Sequence, residues 1–111
     1  MQVRISKLGV AHYLAPDGAL IVENLPALQT RVEEARKAGA SRMVLDLQRV
    51  AYFDSAGLEY LCDLAARLRE EGGSLRLAGP NDLCRETLAL TGIDARIPVH
   101  ENLANAGRSF L

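Results

Sequence analysis

Cysteine and histidine are scarce in this sequence, two of each, and their placement removes most metal and thiol chemistry. Cys62 and Cys84 lie inside apolar patterns with no CxxC spacing and no neighbouring histidine, which argues against a zinc site or a redox pair and for buried, reduced thiols. His12 falls in an apparent strand and His100 stands beside Glu101 near the end, too isolated for a metal cluster. No metal and no cofactor is expected. An excess of charge of one sign is missing as well. The 13 basic and 14 acidic residues are spread along the chain for a net charge of −1, so there is no basic stripe for a nucleic-acid backbone. No apolar run approaches the roughly 20 residues needed to span a bilayer. The opening "MQVRISKLGV" lacks the apolar core of a signal peptide behind its basic residues. A cytoplasmic protein is expected, with no nucleic-acid partner and no membrane insertion. The glycine-bearing stretches "EGGSL" and "LAGPN" match neither GxxxxGK[ST] nor GxGxxG, which argues against nucleotide hydrolysis.

What is present is the composition of an ordinary folded protein, 49% hydrophobic and 24% charged. A chain of 111 residues suits one domain, residues 1–111, and folding at that size buries about two-thirds of the surface of the unfolded chain. "VRIS" (Val3 to Ser6) alternates apolar and polar residues and "VAHYLA" (Val10 to Ala15) is more continuously apolar, so two strands joined near Gly9 are expected. "PDG" at Pro16 to Gly18 is turn chemistry. Leu25, Leu28, Val32 and Ala35 then share one helical face, with Asn24 and Pro26 as the start and Gly39 as the stop. "RMVLDL" (Arg42 to Leu47) reads as a central strand covered on both faces.

A second helical stripe follows at Leu58, Leu61, Cys62, Ala65 and Leu68, ended by Gly72 and Gly73, and "SLRLAG" is a strand. A third helix is expected from Asn81 to Leu90, a short edge strand over Arg96 to Val99, and a last short helix in "ENLANAGRSF". The order β-β-α-β-α-β-α-β-α makes a single α/β layer domain.

The most informative stretch is "FDSAGL", where a strand hands over to a helix. The first N–H groups of a helix have no intrahelical acceptor, and Asp54 or Ser55 can cap them. The same amides and the positive end of the helix dipole also favour an anion, so a phosphate on the Ser55 hydroxyl could be held there. It would bring roughly −1.5 to −2 charges beside Asp54 and repel an acidic partner surface. A nucleophilic serine is the poorer reading, because G-x-S-x-G is incomplete and no histidine can be placed beside Ser55. No enzymatic role is expected.

Nearly the whole chain resembles the STAS domain family, in particular the bacterial anti-sigma factor antagonists. "MVLDLQRVAYFDSAGLEYL" is similar to that family's strand, loop and helix carrying D-S-x-G-L, and "GPNDLCRETLALTGIDARIPVHENLANA" is similar to its closing section. The family's G-x-L-D pattern is met by Gly18 and Leu20, with Ile21 in place of the acidic residue. The resemblance implies a single STAS-like domain, a small mixed β-sheet with helices packed around it, acting as a non-catalytic regulatory binding module. It implies that Ser55 is phosphorylated by an anti-sigma factor that is also a serine kinase, that the unmodified chain binds this kinase to release a sigma factor, and that a serine phosphatase resets the switch. Asp54 would orient the Ser55 hydroxyl, Gly57 would allow close approach, and Ala56, Leu58 and Glu59 would complete the partner-binding surface. The alternative is a STAS scaffold subunit of a transporter or signalling complex that docks without phosphorylation. A third possibility is a small-molecule sensor with its ligand at the sheet edge.

Overall fold

The computed structural model describes residues 1–111 and orders them as β1 (Gln2–Leu8), β2 (Ala11–Asp17), α1 (Leu25–Lys37), β3 (Arg42–Asp46), α2 (Ser55–Glu70), β4 (Ser74–Ala78), α3 (Asp82–Leu90), β5 (Val99–His100) and α4 (Leu103–Arg108). A 3-10 turn at Ile93–Ala95 precedes β5. The five strands form one mixed sheet in the order β1-β2-β3-β4-β5, antiparallel between β1 and β2 and parallel thereafter. This is the α/β architecture and element order that the sequence pattern predicts.

Alternation along the strands divides the core. Leu14, Met43, Leu45, Leu75 and Leu77 face the helices α1, α2 and α3, where Leu28, Val32, Leu61, Leu64, Leu68 and Leu88 are buried against them. Ala11, Val44 and Ala78 face the other way and pack under Ala106 of α4, with Tyr13, Leu103 and Phe110 at the margin. Both sides of β3 are therefore covered, which is why "MVL" is uninterruptedly apolar.

Several local expectations need correction. Pro16 and Asp17 finish β2 instead of forming a turn; Pro16 lies beyond Leu14, the last β2 residue paired with β3, so no ladder bond on that side is lost. Asn24 precedes α1 but does not cap it, since its backbone is helical and its Nδ2 donates to the Ala19 carbonyl (2.8 Å). The stripe of α2 is rotated by about one position. Gly57, Tyr60, Leu61, Leu64, Ala65 and Leu68 are buried, while Leu58 and Cys62 are only half-buried. Cys62 is thus not the fully buried thiol that its apolar neighbours imply. The last strand begins later than "RIPV", because helical hydrogen bonds run through Ile97 (Ile97 N–H to the Ile93 carbonyl, 2.8 Å) and Pro98 has no N–H to give. Pro98 still serves the sheet as an acceptor for the Leu77 N–H (2.9 Å).

Candidate functional site

The parallel strand β3 ends at Asp46, and the chain runs through Gln48 to Phe53 before α2 starts. That connection is stitched to the segment leaving β2. Gly18 N–H donates to the Arg49 carbonyl and Leu20 N–H to the Tyr52 carbonyl, both at 3.0 Å, and Asp54 N–H donates back to the Leu20 carbonyl at 3.2 Å. A parallel bridge between Leu20 and Phe53 completes the pairing. The loop before α1 is thereby laid against the start of α2, although the two are far apart in sequence.

Asp54 is the N-cap of α2, with an extended backbone and a carboxylate that works in two directions. Its Oδ1 accepts from the Gly57 N–H at 2.8 Å, and its Oδ2 accepts from the Val22 N–H at 2.9 Å. These two backbone donors, Gly57 first and Val22 second, hold the Asp54 carboxyl below the ordinary carboxylate range. Both carboxylate oxygens are thus engaged by main-chain amides, and the structure shows Asp54 fastening a helix to a loop. The Ser55 side chain occupies the first helical position and is exposed.

Gly57 is buried, because the Leu20 backbone carbonyl passes directly over it. A Cβ at this position would overlap the Leu20 oxygen and lie 2.9 Å from its carbonyl carbon. The close approach that a glycine permits here is used by the chain itself. Ala56 and Leu58 are half-buried and pack against the core, whereas Glu59 is exposed on the helix. Of the six residues that the sequence marks, only Ser55 and Glu59 are exposed, and Gly57 holds the local structure together from within.

Other side chains at this end of the sheet were not marked by the sequence. Val22 is 57% exposed and Tyr52 46% exposed, on the two segments that the hydrogen bonds bring together. Leu83, 56% exposed, lies in the first turn of α3, whose cap Asn81 accepts from the Cys84 N–H (2.7 Å) and donates to the Ala51 carbonyl (3.1 Å). The Leu20–Phe53 bridge sets the Val22 and Tyr52 segments side by side. Only the pairing of Leu20 with Phe53 could have revealed this grouping, and no local pattern encodes it.

No group of three or more His, Cys, Asp or Glu side chains comes together to hold a metal. No helix is long and apolar enough to cross a membrane.

The family model described as "Mlab, STAS domain" matches residues 3–101. BtrV of Bordetella bronchiseptica, named as an anti-sigma factor antagonist, is 27% identical over 110 residues, which cover 99% of this chain and 95% of that protein. The crystal structure of a Thermotoga maritima protein, also named as an anti-sigma factor antagonist, superposes with a TM-score of 0.90 at 22% identity, covering 96% of this chain and 92% of that one. The Bacillus cell fate determinant SpoIIAA, in its phosphorylated form, has a TM-score of 0.74 at 13% identity, covering 99% of this chain and 100% of its own. The fold, the D-S-x-G-L start of α2 and the matched family model agree: this chain belongs to the STAS domain family and is similar to the anti-sigma factor antagonists within it.

Proposed function

We propose that this chain is a phospho-regulated, non-catalytic binding module: an anti-sigma factor antagonist that docks on an anti-sigma factor serine kinase through the start of α2 and is released when Ser55 is phosphorylated. The observation that carries the reading is the position of Ser55, an exposed hydroxyl at the first position of a helix whose end is fixed by Asp54 and Gly57. A kinase needs a hydroxyl that it can reach, and the exposed Val22 and Tyr52 near it supply apolar contact area. A phosphate adds two negative charges at most and three acceptor oxygens at this point, which disrupts a desolvated interface. A serine phosphatase would restore the binding form, and the sigma factor would be controlled through its anti-sigma partner.

The deciding experiment is peptide mass spectrometry on the protein isolated from its native cells during growth and stress, with a Ser55→Ala strain as control. A phosphate on Ser55 that changes with condition, together with weaker kinase binding by the phosphorylated form, is the expected result. Absence of that phosphate under every condition overturns the reading in favour of a STAS scaffold docked without modification, for which the apolar Ile21 in place of an acidic residue is the supporting observation.

A further inference from the structure

Asp46 is the one charged residue of the buried set, 9% exposed, and no cationic side chain pairs with it. Its Oδ1 accepts from the Gln48 N–H at 2.9 Å where β3 ends, and its second oxygen has no donor in the chain. That oxygen is not sealed from solvent; the sealed, unpartnered side-chain atoms are Tyr60 Oη and His100 Nε2. The turn needs only an acceptor, which an asparagine supplies equally well. The charge therefore has no use inside the molecule, although withdrawing a carboxylate from water without a counter-charge is costly. Asp46 shares the sheet face of Val44, away from α1, α2 and α3. On that face α4 packs over β3, β4 and β5, and the outward β1 residues Arg4 and Ser6 are exposed beside it. An open groove of about 970 Å³ runs there past Arg4, Tyr13, Ala15, Asp46 and Leu103 and over the β1 edge toward α1. Arg4 stands opposite Ala15, and Ala15 lies one step past the paired Leu14 and Leu45. Arg4 and Asp46 thus share one row with only an alanine between them, two strand spacings or about 10 Å apart. Arg4 has no carboxylate partner, whereas Arg31, where the groove meets α1, is committed to the Val3 carbonyl (3.0 Å) and Glu34 (2.7 Å).

We propose that this groove binds a small zwitterion of the amino-acid class, with its ammonium group on Asp46, its carboxylate on Arg4 and an apolar side chain along Tyr13 and Leu103. The ammonium group brings both the donors and the charge that the second Asp46 oxygen lacks. The Arg4 fork suits a carboxylate, and Ala15 leaves the space between the two charges open. A simple amine would leave Arg4 idle, and a simple acid would leave Asp46 unpaired. A bare metal ion is poorly matched, because Asp46 belongs to no group of three or more His, Cys, Asp or Glu side chains. The groove has the size of a small-molecule site, and Tyr13 and Leu103 already pack against the small cluster under α4. Occupancy joins β1, β3 and α4 across the part of the sheet that no helix covers. This site lies on the sheet face opposite α2, so it does not depend on Ser55 or on its modification.

The test titrates the full chain with L-leucine and L-phenylalanine, which carry both charges, with 2-phenylethylamine, which carries only the cation, and with 3-phenylpropionate, which carries only the anion. Amide spectra read Ala15, Asp46 and Leu103, and thermal melts read Tm. The expected result is a saturable shift at these positions at millimolar concentration, strongest for an amino acid, weaker for the amine and absent for the acid, with Tm rising as ligand is added. Asp46→Asn keeps the acceptor for the Gln48 N–H and is expected to abolish binding of amino acid and amine alike. Arg4→Gln is expected to bring the amino acids down to the level of the amine. No saturable shift with any of these probes, equal binding of acid and amine, or undiminished binding by Asp46→Asn overturns the proposal. So does a loss of stability in Asp46→Asn and in Arg4→Gln that does not add in the double variant, which would make Arg4 the internal partner of Asp46. The wild-type series decides the matter even where a variant fails to fold. Ser55→Ala is expected to bind the amino acids as the parent does, so failure of the proposed function leaves this result standing.

Discussion

Replacing Gly57 by alanine sets two effects of opposite sign against each other. In the interior of an unencumbered helix the change is favourable by about 1 kcal/mol, because alanine restricts the unfolded backbone and suits the helix. Here the new Cβ would overlap the Leu20 carbonyl oxygen. That oxygen belongs to backbone, which cannot swing aside as the end of a flexible side chain can. Forcing an extra carbon into a filled site costs about 1–3 kcal/mol. Relief by shifting Leu20 stretches two hydrogen bonds, Asp54 N–H to the Leu20 carbonyl (3.2 Å) and Leu20 N–H to the Tyr52 carbonyl (3.0 Å), each worth about 1 kcal/mol. The overlap wins, and the expected net loss is roughly 2–3 kcal/mol. For a domain of this size that is a fall in Tm of roughly 8–13 °C. Thermal and urea denaturation followed by circular dichroism measure it, with the Val22 amide as a local probe. A Gly57→Ala protein as stable as the parent, or more so, would refute the close approach of Leu20 and the stitched loop that depends on it.

Acidification is expected to destabilise the protein through its histidines. Burial, with help from Arg76, lowers the His100 pKa, and burial, with help from Lys7, lowers that of His12. The unfolded chain therefore binds protons first, so stability is full above the ordinary histidine pKa and declines as pH falls through it toward the lower folded values. Urea midpoints between about pH 8 and about pH 5 should fall with pH, and less steeply in His100→Gln. The two thiols should differ under native alkylation. Half-buried Cys62 reacts first, while Cys84, buried with its pKa raised by desolvation and its Sγ near the Val50 carbonyl (3.5 Å), reacts only on unfolding. Peptide mapping after brief iodoacetamide treatment shows the order. Arg36 of α1 pairs with Glu33 on the same helix and with Glu71, the residue that caps the end of α2, so Arg36→Met should lower the denaturation midpoint in dilute buffer and matter less at high salt.

Much of the fold is legible because local chemistry and global position agree. The α1 face of Leu25, Leu28, Val32 and Ala35 is buried as its period predicts, and α3 runs to Leu90 as expected, with Asn81 as its cap one residue before the helix starts. The errors arise where a neighbour decides. In α2 both Leu58 with Cys62 and Tyr60 with Leu64 offer apolar arcs beside the shared Leu61, Ala65 and Leu68, and only tertiary packing, with the Leu20 backbone laid over Gly57, selects the second arc. β5 is displaced because the turn from Ile93 retains helical bonding past Arg96. At the candidate site, "DSAG" announces a cap and an exposed serine, but the partner of the second carboxylate oxygen is Val22, 32 residues away. No period or propensity carries such a contact.

That contact has a consequence for how such a surface can change over evolutionary time. Val22 gives the clamp only its N–H, and its side chain is 57% exposed. Any residue other than proline can therefore stand at position 22 without disturbing the fastening. The invariable chemistry and the variable address are borne by different atoms of one loop: main chain holds the serine-bearing helix in place, and side chains are free to be exchanged. Two copies of such a gene could drift apart in what they bind while keeping the same fastening of loop to helix.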